Sequence, residues 1–194
     1  MMKLYTVLDF ETSGLNNPVG TDQPTQVAAV KFDDTGKEVA RFSTYVRLNQ
    51  GKHPSKYTPQ ITPELCDTGL SCGQVNDILF DFIGDSTLVC QSAPFDMSFL
   101  DWHPHNFICT RALTWLVEPN ENPSLKPTCE RHGLDLRFHH DAIADVYATK
   151  EVLFLMMKKA HEKGLRACDY YNTVVDFKSR PLLYKPEHAV VLYE

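Results

Sequence analysis

Aspartate, glutamate and histidine hold metal ions and move protons, and five of these residues are candidates here by their placement along the chain: Asp9, Glu11, Asp96, His140 and Asp145. Asp9 and Glu11 flank Phe10, directly after the apolar run Leu4-Tyr5-Thr6-Val7-Leu8. On a strand, side chains alternate between faces, so these two carboxylates share a face about 7 Å apart along the chain, with Leu8 and Phe10 opposite. Such a pair repels unless a cation sits between its members, and hard divalent ions such as Mg²⁺ take carboxylate oxygens and water as ligands. Two solvated acids on an edge strand are the plain alternative, and this motif alone does not separate the two readings. Thr12-Ser13-Gly14 ends the strand, and Gly14 permits a tight turn or a close backbone approach.

The other three residues need elements that bring them to the same place. Ser86-Thr87-Leu88-Val89-Cys90 reads as a short buried strand. The segment after it reads as a helix, with Ser92 as cap, Pro94 in the first turn, and Phe95, Phe99 and Leu100 as its inner face. Asp96 then lies near the positive end of the helix dipole, a favourable place for any carboxylate, catalytic or not. Asp145 falls one turn into the longest predicted helix, Asp141 to Lys163, among the small residues Ala144, Ala148 and Thr149, which leave room for a carboxylate to face a cleft. His140 precedes Asp145 by five residues. Its neighbour His139 is an alternative that the residue types alone leave open.

The remaining pattern is that of an α/β protein. Gln26 to Phe32, a turn at Asp33 to Lys37, and Glu38 to Leu48 complete an antiparallel three-strand meander after a polar loop, Asn16 to Thr25. Ser71 can cap a helix with Val75, Ile78, Leu79, Phe82 and Ile83 on its apolar face, and Gly84 ends it. Helices over Thr110 to Val117 and Ser124 to His132 follow. A meander followed by alternating helices and strands gives a mixed sheet with helices packed over it. The last thirty residues are less regular, with one predicted strand at Ala189 to Tyr193.

Composition narrows the function classes. The 194 residues suit one domain, and no apolar run approaches the ~20 residues of a membrane span. The start, Met-Met-Lys, leads straight into the first strand without the form of a signal peptide, so a cytoplasmic location is expected. Six scattered cysteines form no CxxC pair and read as reduced thiols, neither a disulfide framework nor a zinc site. The net charge of −6 has the wrong sign for gripping long nucleic acid by counterion release, which predicts weak intrinsic affinity or affinity borrowed from a partner. It does not exclude a nucleic-acid enzyme, because clustered acids are offset by bound metal ions.

Asp9-x-Glu11-Thr12-x-Gly14-Leu15, then Phe95-Asp96, then His140 and Asp145 separated by four residues resemble the three-motif signature of the DEDDh 3′→5′ exonucleases. That group includes RNase T and the proofreading, epsilon-type subunits of DNA polymerase III. The similarity runs from about Lys3 to about Lys159. The histidine form is favoured over the tyrosine form, since the tyrosine position holds Asp141. Two departures stand out: Ser92 replaces the usual Asn of the second motif, and Gln26 stands where relatives often carry an acid.

The resemblance implies a ribonuclease H-like sheet and phosphodiester hydrolysis with two divalent ions, Mg²⁺ or Mn²⁺. Asp9, Glu11, Asp96 and Asp145 would be the metal ligands and His140 the general base. It further implies that Thr12 and Leu15 meet the 3′-terminal nucleotide, with Phe99 a stacking candidate that reads equally as core. The expected substrate is the 3′ end of single-stranded or frayed DNA, released as nucleoside monophosphates, with a polymerase as possible partner and an oligomer not excluded. An RNA 3′-end trimming enzyme shares the same site, and a non-catalytic nucleic-acid-binding or polymerase-accessory module is the reading from another class. The exonuclease domain is expected over 1–164, with 165–194 as an extension packed on or beside it.

Overall fold

A nine-residue strand with apolar side chains on both faces can only be stable inside a sheet that is covered on both sides. Leu4–Thr12 forms that strand, β1, at the centre of the protein. The computed structural model describes residues 3–15, 21–136 and 139–194; of the loop expected over 16–25, residues 16–20 lie outside the described residues. β2 (Pro24–Asp33) and β3 (Glu38–Tyr45) complete the antiparallel meander. Asp33 organises the hairpin between them, its Oδ1 accepting hydrogen bonds from the backbone of Thr35 and Lys37 and from the Thr35 hydroxyl.

Helix α1 (Pro63–Asp67) is capped by Thr62, and α2 (Cys72–Ile83) by a capping box between Ser71 and Gln74. The periodic pattern misplaces one face residue of α2. Ile78 is 37% exposed, whereas Asn76 is buried because its amide donates to Phe99 O and accepts from the Asp101 backbone. β4 (Thr87–Cys90) runs parallel to β1. It leads into a single turn, α3 (Ala93–Asp96), and a 3₁₀ turn, Met97–Phe99, in place of the longer helix expected there. Ser92 stands at the cap position, but its side chain makes no capping bond.

The chain continues through β5 (Phe107–Cys109), α4 (Thr110–Val117) and α5 (Leu125–His132), which Gly133 ends in the left-handed conformation. The long helix α6 (Ala142–Glu162) is capped by Asp141, and the parallel pair β6 (Thr173–Asp176) and β7 (Val190–Tyr193) closes the chain. The main sheet has the order β3-β2-β1-β4-β5. No helix among the described residues is long and apolar enough to cross a membrane.

The alternation of β1 sorts the core into two layers. Leu8 and Phe10 face α2 and the short α3 segment, in a cluster that also takes Val174, Val175 and Phe177 from the C-terminal segment. Tyr5 and Val7 face α6, against Val146, Val152, Leu153 and Met156. Asp9 and Glu11 are the next odd-numbered residues after Tyr5 and Val7, so they continue the α6 face at the strand's far end. The C-terminal segment is tied to the sheet edge by the backbone bond from Asn172 to Phe107 O and by the bridge of Tyr171 to Ile108.

Candidate active site

The parallel β1–β4 pair places the C-terminal ends of both strands side by side, and α6 packs over β1 and β2. Asp9 and Glu11 come from the end of β1, Asp96 from the turn just after β4, and Asp145 from the first turn of α6. Asp9, Glu11 and Asp145 each offer a carboxylate oxygen within 4.8 Å of the others. Asp96 lies outside that trio but beside it: its charge is the largest acidic influence on Asp9, and the backbone N–H of Phe10 donates to it. Glu11, Asp96 and Asp145 are buried.

Buried acids of like charge resist ionisation. Burial first, and then Asp96 and Asp145, push Asp9 well above the usual carboxylate range. Burial and Asp145 push Glu11 up to about 8. Burial raises Asp96 to about 7, against hydrogen bonds from backbone N–H groups and the charge of Arg180. A cluster of this kind is poorly satisfied on its own. It fits a hard divalent cation, which takes carboxylate oxygens and cancels the repulsion.

Two features hold Asp145 in place. The α6 N-terminus is anchored to β2 through Gln26, whose Oε1 accepts from the backbone N–H of Ala142 at 3.2 Å. Gln26 is the cross-strand partner of Glu11, so one side chain links the strand end to the helix end. The second feature is the His139–His140 turn. The sequence spacing favours His140, yet it is the His139 imidazole that meets Asp145, at 3.0 Å from Nδ1 to Oδ1. His140 adopts a positive φ of 70°, donates its backbone N–H to Asp145 Oδ2, and stacks its exposed ring on His139 at 3.9 Å between centroids. Its carbonyl accepts from Gln60.

The turn after β1 is built for close approach. A Cβ on Gly14 would lie 2.6 Å from Asp22 Oδ1, so any larger residue here requires the Asp22 side chain to move aside. The Thr12 hydroxyl donates to Gly14 O at 2.6 Å, and Leu15 is left 56% exposed on the rim. Phe99 requires a correction. It is only 9% exposed and packs edge-on to Phe95 and tilted against Phe10, so it belongs to the wall behind the site and offers no free face to a base. Residue types alone did not disclose Gln26 or His139 as positioning groups. Their signal lies in position: Gln26 opposite Glu11, and His139 one residue from the expected histidine.

A mixed sheet in which an antiparallel meander β3-β2-β1 continues into parallel β4 and β5, with acids at the C-terminal ends of β1 and β4, defines a ribonuclease H-like nuclease. The sequence matches the RNase T exonuclease family over residues 6–153, and the chain belongs to that family, the DEDD-type 3′→5′ exonucleases. It is 30% identical over 202 residues to the PolC-type DNA polymerase III of Bacillus subtilis strain 168, covering 97% of this chain and 14% of that protein. The Thermotoga petrophila PolC-type enzyme is 29% identical, with 98% and 14% covered. The chain thus spans about one seventh of the length of these curated relatives.

Among solved structures, exonuclease X in complex with 5′-overhanging duplex DNA superposes with a TM-score of 0.68 at 24% identity, covering 86% of this chain and 96% of that one. The nuclease domain of 3′hExo, a DEDDh family member bound to rAMP, gives 0.68 at 18% identity, with 85% and 96% covered. Escherichia coli exonuclease I with a dT13 oligonucleotide gives 0.69 at 18%, with 84% and 42% covered. These likenesses establish the fold.

Proposed function

We propose that this chain is a divalent-metal-dependent 3′→5′ exonuclease that removes nucleoside monophosphates from single-stranded or frayed DNA ends. The observation that carries the reading is the convergence of Asp9, Glu11 and Asp145 oxygens within 4.8 Å, with Asp96 beside them. Asp9, Glu11, Asp96 and Asp145 would hold two ions, Mg²⁺ or Mn²⁺. When bound, such ions supply an activated water and neutralise charge on the leaving oxygen.

The protein's own groups do the rest. His140 accepts the proton of the attacking water. Burial and the neighbouring His139 hold its pKa below the usual histidine value, which keeps it in the neutral, accepting form at neutral pH. His139 steadies Asp145. The Thr12–Leu15 turn seats the 3′-terminal nucleotide, with Leu15 wedged against its base. Residues 1–164 would form the catalytic unit, and 165–194 an extension that shares its core.

The DNA complexes of exonuclease X and exonuclease I support DNA as substrate, and the PolC relatives support a polymerase context. The net charge of −6 fits a nuclease that borrows its grip on the template from such a partner. The rAMP complex of 3′hExo keeps RNA as the second reading. The test is cleavage of 5′-labelled DNA and RNA single strands by the purified chain, with Mg²⁺, Mn²⁺ or EDTA. A ladder shortened from the 3′ end of DNA, absent in EDTA and absent for Asp145→Ala, is expected. Binding without cleavage under every metal condition would leave the accessory-module reading instead.

A further inference from the structure

The C-terminal segment closes a cavity of about 190 Å³ against the rim of the acid cluster, walled by Leu15, Phe95, Arg111, Phe177, Arg180 and Tyr184. Its walls are mostly apolar and aromatic; Ser92 and Cys109 add a hydroxyl and a thiol, and the charged members are two guanidinium groups. Arg111 is half-buried at the start of α4, stacked on the Phe177 ring with 4.8 Å from Cζ to the centroid. Its Nε is shut off from solvent and has no hydrogen-bond partner. Arg180 is exposed, and its charge reaches both Arg111 and Asp96. Among the described residues neither arginine is ion-paired with an acid, in a chain whose net charge is −6.

Two cations facing one partly desolvated cavity repel each other, and a buried guanidinium N–H without an acceptor is costly. The repulsion is relieved by one anion with several acceptor oxygens lying between the two guanidinium groups. Phosphate matches guanidinium geometry best. The flat apolar walls suit a nucleobase, since aromatic and aliphatic surfaces bind bases without regard to sequence. Continuity decides which phosphate this is. Leu15 lines the cavity and belongs to the turn after β1, and Phe95 runs directly into Asp96.

We propose that this cavity is a nucleotide subsite for the strand upstream of the scissile bond, in which Arg111 and Arg180 hold a backbone phosphate and Leu15, Phe95 and Tyr184 flank a base. The subsite rests on the exonuclease reading of the neighbouring acids. It gives the C-terminal segment a function: Arg180 and Tyr184 come from residues 165–194, so the segment completes the strand's binding track. The negatively charged body then grips a short single strand locally without a long basic surface.

The test compares fluorescein-labelled dT2 and dT8 by fluorescence anisotropy in Ca²⁺. The single phosphodiester of dT2 is the scissile one, so only dT8 supplies an upstream phosphate. Wild type should bind dT8 more tightly than dT2. Arg180→Gln should weaken dT8 binding about tenfold and lower the salt dependence of its log K by about 0.7, one lost single-strand phosphate contact, while Arg180→Lys keeps the salt dependence. Arg111→Gln should act in the same direction. Arg180 is solvent-exposed, so the comparison survives if the Arg111 variant misfolds. Equal dT8 affinity and equal salt dependence for wild type and Arg180→Gln would overturn the subsite. Failure of wild type to hydrolyse dT8 in Mg²⁺ would overturn the exonuclease reading instead, and the anisotropy comparison would still decide the cavity's role.

Discussion

His139 Nδ1 lies 3.0 Å from Asp145 Oδ1, so the imidazole that grips the helix carboxylate is not the one placed by the His-to-Asp spacing. The hydrogen bond to Asp145 raises His139 above the usual histidine range, whereas burial and the His139 charge lower His140. One histidine is thereby biased toward its protonated form beside the acids and the other toward its neutral form. Under the proposed mechanism the pair would divide two tasks: holding a ligand and accepting a proton.

His140→Ala should therefore lower kcat by about 10²–10⁴-fold with little change in the Mg²⁺ concentration required for half-maximal rate. His139→Ala should shift that Mg²⁺ requirement and change kcat less. Steady-state kinetics across an Mg²⁺ titration separates the two. The reverse assignment of effects would transfer the base role to His139.

Asp9 carries the strongest conflict between stability and function. Its neighbours Asp96, Asp145 and Glu11 all oppose its charge. Asp9→Asn removes that repulsion, so it should abolish metal-dependent cleavage and raise the melting temperature in EDTA. At this chain size each 1 kcal/mol of relief amounts to about 2–4 °C. Calorimetry in EDTA checks this, and a lower Tm for the variant would contradict the strained acid cluster.

The same repulsion makes metal-free stability depend on pH. Glu11 is raised to about 8 and Asp96 to about 7 in the folded protein, against about 4.3 and 3.9 when unfolded. Between those limits the folded state binds more protons than the unfolded state, so stability falls as pH rises. The contribution is fully present below about pH 4 and is lost as pH passes through about 7–8. Bound cation needs the ionised acids and replaces those protons. Mg²⁺ should therefore raise Tm more at about pH 8 than at about pH 5. Equal metal-induced shifts at both values would argue that these carboxylates are not the ligands.

Gln26 offers a test of positioning. Its bond to the Ala142 N–H ties the start of α6 to the strand beside Glu11. Gln26→Ala leaves that buried N–H without its acceptor and should cost about 1–3 kcal/mol. It should also raise the Mg²⁺ requirement, because Asp145 sits one turn further along the same helix. Gln26→Glu keeps an acceptor at the helix N-terminus and should restore much of the metal response. Loss of stability with no change in Mg²⁺ requirement for Gln26→Ala would make the contact merely structural.

Much of this protein was legible in its sequence, for reasons that are local. The Asp9-Phe10-Glu11 alternation sets two acids on one face because strand side chains have a period of two. Ser71 with Gln74, Thr62 before Pro63, and Asp141 before α6 mark their helices because capping acts within a few residues. The positions of the acids along the chain assign the candidate cluster to three separate elements.

What tertiary structure alone decided depends on contacts between residues far apart in the chain. β5 is three residues long, too short for a periodic signal, and exists through its parallel pairing with β4. Asn76 displaces Ile78 from the buried face of α2 because its partners are Phe99 and Asp101. Phe99 became core because Phe10 and Phe95 enclose it. Which histidine meets Asp145, what Gln26 holds, and where Arg180 comes to rest are set by packing across the sheet. Residue types and spacing named the acids, since their chemistry is carried by single side chains. The positioning of those acids, and the cavity beside them, arises only when distant segments are forced together by burial of a shared core.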